Sequence, residues 1–143
     1  AILSRHGFDE DVVTAGALHD VLEDCGVTHA ELATKFGARV ADLVRHVSEE
    51  DKSLSWEERK RAYLEHFTTK PWDAQAITLA DKIDNFQSII VCKESWGDPW
   101  PMFNRGRDVR LGRFDELLTR AKVLPAHPLV AEYEATLADV RAL

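Results

Sequence analysis

A run of eight residues near the start of the chain holds four side chains that could bind a metal ion or transfer a proton: Ala17-Leu18-His19-Asp20-Val21-Leu22-Glu23-Asp24. On a helix His19 and Glu23 are four residues apart and share one face, with Asp20 and Asp24 beside them. Ionised carboxylates in so apolar a segment cost free energy unless an opposite charge compensates them. A bound cation would supply that charge. A helix end whose acidic last turn faces water is an equal interpretation of this run alone.

A second segment carries a polar stripe on an otherwise apolar helical pattern. Asp81, Asn85 and Ser88 are spaced at i, i+4 and i+7, which places them on one side of a helix. The apolar residues expected to pack elsewhere on the same helix are Ile77, Ala80, Ile83, Ile89 and Ile90. Either stripe alone is compatible with a structural role. Two such helices, each with an Asp in its stripe, indicate the facing walls of one site.

Helix signals predict the elements that would position these side chains. Asp9 is suited to cap the helix that carries His19. Thr28 and Ser55 each begin a capping box, with Glu three residues later. Helical segments are also expected after Pro71 and over about residues 108–121 and 128–143, whereas the Trp, Gly, Pro and Asn residues of segment 95–107 predict a loop. Since no segment shows sustained alternation with period two, we expect an all-α fold without a sheet.

Bulk properties limit the classes of protein. The 143 residues fit one domain, and a formal net charge of −7 argues against nucleic-acid or membrane partners. Cys25 and Cys92 are isolated, so neither a disulfide framework nor a zinc ribbon is indicated. With no membrane span and no signal peptide in the sequence, we expect a cytoplasmic protein. Because the chain opens on Ala1 within a helix-like segment, we expect that an N-terminal piece is missing.

The two polar segments together resemble the HD-domain metal-dependent phosphohydrolases, specifically the hydrolase domain of the Rel/SpoT alarmone enzymes and their small single-domain homologues. The resemblance rests on His19-Asp20 with Glu23-Asp24, followed by Leu79-Ala80-Asp81-Lys82 with Asn85. It continues in the intervening segments Phe36-Gly37-Ala38-Arg39-Val40-Ala41-Asp42-Leu43-Val44, Val47-Ser48, Asp51-Lys52 and Glu58-Arg59-Lys60. It covers roughly residues 1–95 and is weaker beyond them.

The resemblance implies a fold and a metal site. The fold is a compact HD-domain helical bundle formed by residues 1–143, with the site between the HD helix and the Asp81 helix. His19, Asp20 and Asp81 would bind a divalent cation, usually Mn²⁺ in this family. A further family His lies upstream of the HD pair. No residue of this chain stands at that place, and His6 lies too close to His19.

The resemblance also implies roles around the metal. Glu23 and Asp24 would carry the acid–base chemistry, and Asn85 and Ser88 match positions that touch the nucleotide. Lys82 is a candidate phosphate contact, with a pairing to Glu23 or Asp24 as an equal alternative. The basic residues Lys52, Arg59 and Lys60 are further candidate phosphate contacts, although a mixed-charge surface is the favoured interpretation of that group.

The implied function is a metal-dependent phosphohydrolase that removes phosphate or pyrophosphate from a small nucleotide, with the 3′-pyrophosphate of ppGpp as a candidate. One alternative is a phosphatase of another nucleotide or a dinucleotide, suggested by the divergent segment 95–107. The other is a catalytically inactive HD module that binds nucleotides, suggested by the missing first His. Trp96 and Trp100 could stack on a base or cover the site, with packing as the favoured role. A homo-oligomer is compatible with the sequence.

Overall fold

The computed structural model describes residues 2–22, 25–48, 53–102 and 105–143, with the backbone alone for residues 20–22 and 102. Every regular element in these ranges is a helix. The α-helices are α1 Ile2–Arg5, α2 Glu10–Leu22, α3 His29–Phe36, α4 Ala38–Val47, α5 Trp56–His66, α6 Trp72–Trp96, α7 Arg107–Ala121 and α8 Pro128–Arg141. Two short 3₁₀ helices cover Phe67–Thr69 and Trp100–Met102. The all-α prediction is confirmed.

Three predicted helix starts are confirmed by their capping hydrogen bonds. The amide of Val12 donates to Asp9 Oδ1 at 3.2 Å at the start of α2. Thr28 Oγ1 accepts from the third residue of α3 at 3.2 Å, and Ser55 Oγ accepts in the same way in α5 at 3.1 Å. Each bond satisfies a backbone donor that has no partner within its helix, so these residues fix where the helices begin.

The chain divides into two compact units, Ala1–Thr78 and Leu79–Leu143, and the division falls within α6. In the first unit one apolar face of α4, with Val40, Leu43, Val44 and Val47, is buried. The helix α2 packs against α4. The helix α1 lies close to α2 at Gly16, where an added Cβ would stand 2.9 Å from Leu3 Cδ1. A side chain at position 16 would therefore push α1 away, and the glycine allows this packing.

A cluster of charged residues joins three helix starts in the first unit. The Arg39 guanidinium, at the start of α4, is 2.7 Å from Asp9 Oδ1, 3.3 Å from Asp11 Oδ2 and 2.8 Å from Asp73 Oδ2. The hydrogen bond from Arg39 holds the pKa of Asp9 below its ordinary value. Because Arg39 is about half exposed, we expect this cluster to orient the helices more than to stabilise them.

In the second unit, aromatic rings form the centre of the core. The Phe86 ring of α6 meets the Phe114 ring of α7 edge-on, with centroids 4.8 Å apart, and the Tyr133 ring of α8 at 5.3 Å. The Tyr133 hydroxyl donates to the Phe114 carbonyl at 2.8 Å. Burial raises the pKa of Tyr133, which keeps the hydroxyl protonated as a donor.

The main difference from the sequence prediction lies in segment 95–107, which was expected to be a loop. Instead α6 continues to Trp96, and a short 3₁₀ helix follows at Trp100–Met102. Gly97, with φ of 99°, stands directly after the helix, and glycine adopts this left-handed region without the steric cost that other residues have. Within the described ranges no helix has both the length and the apolar character needed to cross a bilayer.

Candidate metal and active site

His19 lies near the end of α2 and is half-buried. Its Nδ1 atom is 3.1 Å from the carbonyl oxygen of Gly16. Because a carbonyl only accepts, Nδ1 carries the proton in this bond, and a neutral ring in this tautomer has its lone pair on Nε2. Metal-binding histidines are commonly oriented by such a bond to the nitrogen that does not face the metal. The local structure of α2 therefore supports the predicted role of His19.

Other predicted site residues are described only in part or not at all. Asp20 is placed by its backbone in α2, without its side chain. Glu23 and Asp24, the predicted acid–base pair, and Lys52, a predicted phosphate contact, lie outside the described residues. Their roles remain predictions from the sequence.

The predicted polar stripe of α6 consists of Asp81, Asn85 and Ser88. The Asp81 side chain is 19% exposed, whereas Asn85 and Ser88 are exposed. Four of the five apolar residues expected to pack elsewhere on the helix are buried, and Ile90 is half-buried. The stripe thus runs from a mostly covered carboxylate to two open polar side chains, which suits an ion near Asp81 and a polar ligand beside it.

The Lys82 ammonium has a partner that was not expected from the sequence. Its Nζ atom is 3.5 Å from Asp81 Oδ2, and its side chain is 25% exposed. The pairing places a positive charge beside the candidate metal ligand. The two predicted roles, contact with phosphate or with the acidic pair, remain predictions.

The chemistry of the described donors fits a divalent cation. A neutral imidazole with its lone pair on Nε2 and a largely covered carboxylate are both ligands that Mn²⁺, Fe²⁺ or Zn²⁺ accepts. Among the described side chains, no three His, Cys, Asp or Glu residues form a cluster that could hold a metal. Since the Asp20 carboxylate is not one of these side chains, His19 and Asp81 are only part of the predicted ligand set.

A cavity of about 630 Å³ opens beside the stripe, further along α6. The described residues that line it are Gln87, Ser88, Val91, Cys92 and Trp96. Trp96 is 87% exposed and Val91 57% exposed, so the favoured packing role for Trp96 is not met within the described chain. The cavity was not predicted from the sequence, although Ser88, Cys92 and Trp96 at i, i+4 and i+8 mark one helix face.

The comparisons with known proteins establish the family. The HD domain model matches residues 1–96, so the chain belongs to the HD-domain family. The chain is 41% identical over 98 residues to the zebrafish (Danio rerio) protein named guanosine-3′,5′-bis(diphosphate) 3′-pyrophosphohydrolase MESH1, an alignment that covers 66% of this chain and 54% of that protein. The chain thus spans about half the length of the curated relatives it matches.

Two solved structures resemble the whole chain. The crystal structure of lmo0812 from Listeria monocytogenes is 36% identical with a TM-score of 0.90, and the match covers 99% of this chain and 95% of that one. A metazoan ortholog of SpoT, described as hydrolysing ppGpp, is 30% identical with a TM-score of 0.78, covering 99% of this chain and 77% of that one. The HD-domain bundle expected from the sequence is therefore confirmed.

Proposed function

We propose that the protein is a metal-dependent phosphohydrolase that removes pyrophosphate from the 3′ position of ppGpp. His19, Asp20 and Asp81 would hold the metal ion, for which Mn²⁺ is the proposed identity. Glu23 and Asp24 would be the catalytic acid–base pair. Asn85, Ser88, Lys82 and Lys52 would contact the substrate. We also propose that residues 1–143 act as one HD domain.

The observation that carries the proposal is the orientation of His19. The hydrogen bond from its Nδ1 to the Gly16 carbonyl sets the tautomer that a metal ligand needs. The proposal is supported by Asp81, a largely covered carboxylate on the second motif, and by relatives named for ppGpp hydrolysis. The inactive-module alternative is disfavoured because an unused site has no need of this second-motif carboxylate.

The reaction would be hydrolysis of the bond between the ribose 3′ oxygen and the adjacent phosphorus. A divalent ion, when bound, lowers the pKa of water and neutralises charge on the phosphoryl group. Glu23 or Asp24 would accept the proton of the attacking water, and the other would return a proton to the departing 3′ oxygen. The products would be GDP and pyrophosphate.

The remaining residues would bind and orient the nucleotide. Asn85 and Ser88 are exposed on α6 and can donate hydrogen bonds to ribose or base. Lys82 would place a positive charge close to the phosphoryl group, because its ammonium already stands beside Asp81. Lys52 would add a second positive charge. Such contacts raise the rate by fixing the reacting phosphorus in position.

The test is product analysis with a nucleotide panel of ppGpp, GTP, GDP and a dinucleotide, each with and without Mn²⁺. We expect pyrophosphate from ppGpp in the presence of Mn²⁺, none in EDTA, and none from Asp81→Ala or Glu23→Ala. Asp84→Ala is the matched control, since Asp84 is an exposed carboxylate on the same helix and should keep full activity. Release of orthophosphate from the other nucleotides alone would mean that the substrate is not ppGpp. No product from any nucleotide with Mn²⁺-loaded protein would refute the proposal.

A further inference from the structure

The cavity on α6 lies at a defined distance from the candidate metal ligand. Along a helix each residue advances about 1.5 Å, so Ser88 stands about 10 Å and Trp96 about 22 Å beyond Asp81 along the axis. Side chains on a helix lean toward its N-terminus, which brings Trp96 back toward Ser88. The cavity therefore begins where the stripe ends, at Ser88, and extends along α6 away from Asp81.

The lining combines a flat apolar surface with a polar edge. Trp96 and Val91 present large apolar side chains to solvent, at 87% and 57% exposure. Gln87 and Ser88, on the side nearer Asp81, supply an amide and a hydroxyl. An exposed indole costs free energy in water, and a planar ring is the partner that covers it most completely. Amide and hydroxyl groups are suited to the donors and acceptors on the edge of such a ring.

We propose that the α6 cavity is a stacking site for a planar heteroaromatic ring of a nucleotide. Trp96 would be the stacking surface, Val91 the apolar wall, and Gln87 and Ser88 the polar edge that selects among rings. The inference deepens the proposed function and rests on it for the chemical class of the ligand. It makes Trp96 a specificity-determining residue.

The size of the cavity favours a ring over a protein partner. Its volume of about 630 Å³ falls within the range of about 300–1,000 Å³ that is typical of small-molecule sites. A stable protein interface would need about 800 Å² from each partner, far more than Val91 and Trp96 offer. The ring could be the base of the hydrolysed nucleotide or the second ring of a dinucleotide. The two differ in how far the ring can lie from the phosphate.

Equilibrium titration with metal-free protein tests the inference. The probes are GMP, a diguanosine pyrophosphate and ribose 5-phosphate, which lacks a ring. We expect Trp96→Ala to weaken ring-bearing probes by about tenfold or more, as base–aromatic stacking predicts, while Trp96→Phe keeps most of the affinity. Binding of ribose 5-phosphate should not change. Val123→Ala is the control, because Val123 is 75% exposed and does not line the cavity.

The outcomes separate the two sources of the ring. A loss for GMP would identify the base of a mononucleotide, and a loss for the dinucleotide alone would identify a second ring. The inference is overturned if wild-type protein shows no ring-dependent binding, if Trp96→Ala leaves both ring-bearing probes unchanged, or if ribose 5-phosphate weakens equally. It is also overturned if Trp96→Ala changes only the sedimentation coefficient, because Trp96 would then serve contact between copies of the chain.

Failure of this inference can be distinguished from failure of the proposed function. If ppGpp is hydrolysed and Trp96→Ala leaves KM, kcat and the affinity for both ring-bearing probes unchanged, the proposed function stands and the stacking site is wrong. If ring-dependent binding depends on Trp96 but no nucleotide is hydrolysed with Mn²⁺, the stacking site stands and the proposed function is wrong. A rise in KM with kcat unchanged supports both.

Discussion

The helix α6 has two halves that resemble each other in sequence and differ in their surroundings. From Ala74 to Ala80 every residue is buried, including the polar residues Gln75 and Thr78. Beyond Asp81 only Ile83, Phe86 and Ile89 of α6 are buried, and the polar residues other than Lys82 are exposed. Polar residues nevertheless recur every three or four positions along the whole helix, so one stripe passes from the core to the surface.

The polar groups in the buried half have protein partners. The Gln75 side-chain amide donates to the Phe67 carbonyl at 2.9 Å. The Thr78 hydroxyl donates to the Ala74 carbonyl at 3.3 Å. The Tyr63 hydroxyl is 3.1 Å from Thr78 Oγ1. In this half polar side chains hold the fold together, whereas in the exposed half they are open to a ligand. Mutations of the stripe in the buried half should therefore affect stability, whereas mutations of the stripe in the exposed half should affect activity.

Asp81→Asn should give the largest effect, because it removes the charge of the proposed metal ligand on the exposed half. We expect hydrolysis of ppGpp to fall by at least about 10³-fold, since metal stabilisation of the transition state is worth several kcal/mol. The free energy of unfolding, measured by urea titration without metal, should stay close to that of the wild type. Retained activity would show that Asp81 is only structural.

Phe86→Ala should give the largest loss of stability, because Phe86 is buried between two aromatic rings on the opposite side of the same helix. We expect the free energy of unfolding to fall by about 3–5 kcal/mol. Val91→Ala, on the exposed side, should change it by less than about 0.5 kcal/mol. Equal losses from the two variants would mean that the exposed half of α6 is covered in solution.

Two hydroxyl deletions on the stripe provide a smaller and more closely matched test. Thr78→Val removes a buried hydroxyl with two partners, so we expect a loss of about 1 kcal/mol in unfolding free energy and unchanged KM. Ser88→Ala should leave stability within about 0.5 kcal/mol and raise KM for the nucleotide. Urea titration and steady-state kinetics on both variants measure the contrast, and a reversed pattern would contradict it.

The smallest effect is expected at Arg39, in the cluster of charged residues that joins three helix starts of the first unit. Arg39 lowers the pKa of Asp9 from its ordinary value of 3.8, so its contribution is complete above that pH and is lost as the pH falls through the lowered pKa. Arg39→Gln should lower Tm by a few degrees at most near neutral pH. The difference between the two melting curves should shrink in acid, and one that grows in acid would contradict this account.

Much of the fold followed from local sequence. Asp9, Thr28 and Ser55 cap their helices as predicted, because capping depends on residues only a few positions apart. The end of α6 was harder to place: Ser95 and Trp96 remain helical, although their composition suggested a loop. The cluster around Arg39 could not be predicted, because its carboxylates lie about 30 residues away in the chain.

The residues of the candidate site could be predicted from the sequence, but the side chains and the cavity around them could not. The sequence identified His19 and Asp81 because spacing on a helix is a local property. It did not indicate that the Lys82 ammonium contacts the Asp81 carboxylate or that a cavity follows Ser88, since these features depend on side-chain packing. Nor did it distinguish Thr78, which is buried, from Ser88, which is exposed, because helical periodicity is the same in both halves of α6.

The most direct test of the account is whether His19 and Asp81 hold the same ion. Mn²⁺ affinity would be measured by the electron paramagnetic resonance signal of free Mn²⁺, for the wild type, His19→Ala, Asp81→Ala and the double variant. If one ion is shared, each single variant loses most of the affinity and the double variant loses little more than either one. Independent, additive losses, or wild-type affinity in either single variant, would contradict the proposed metal site.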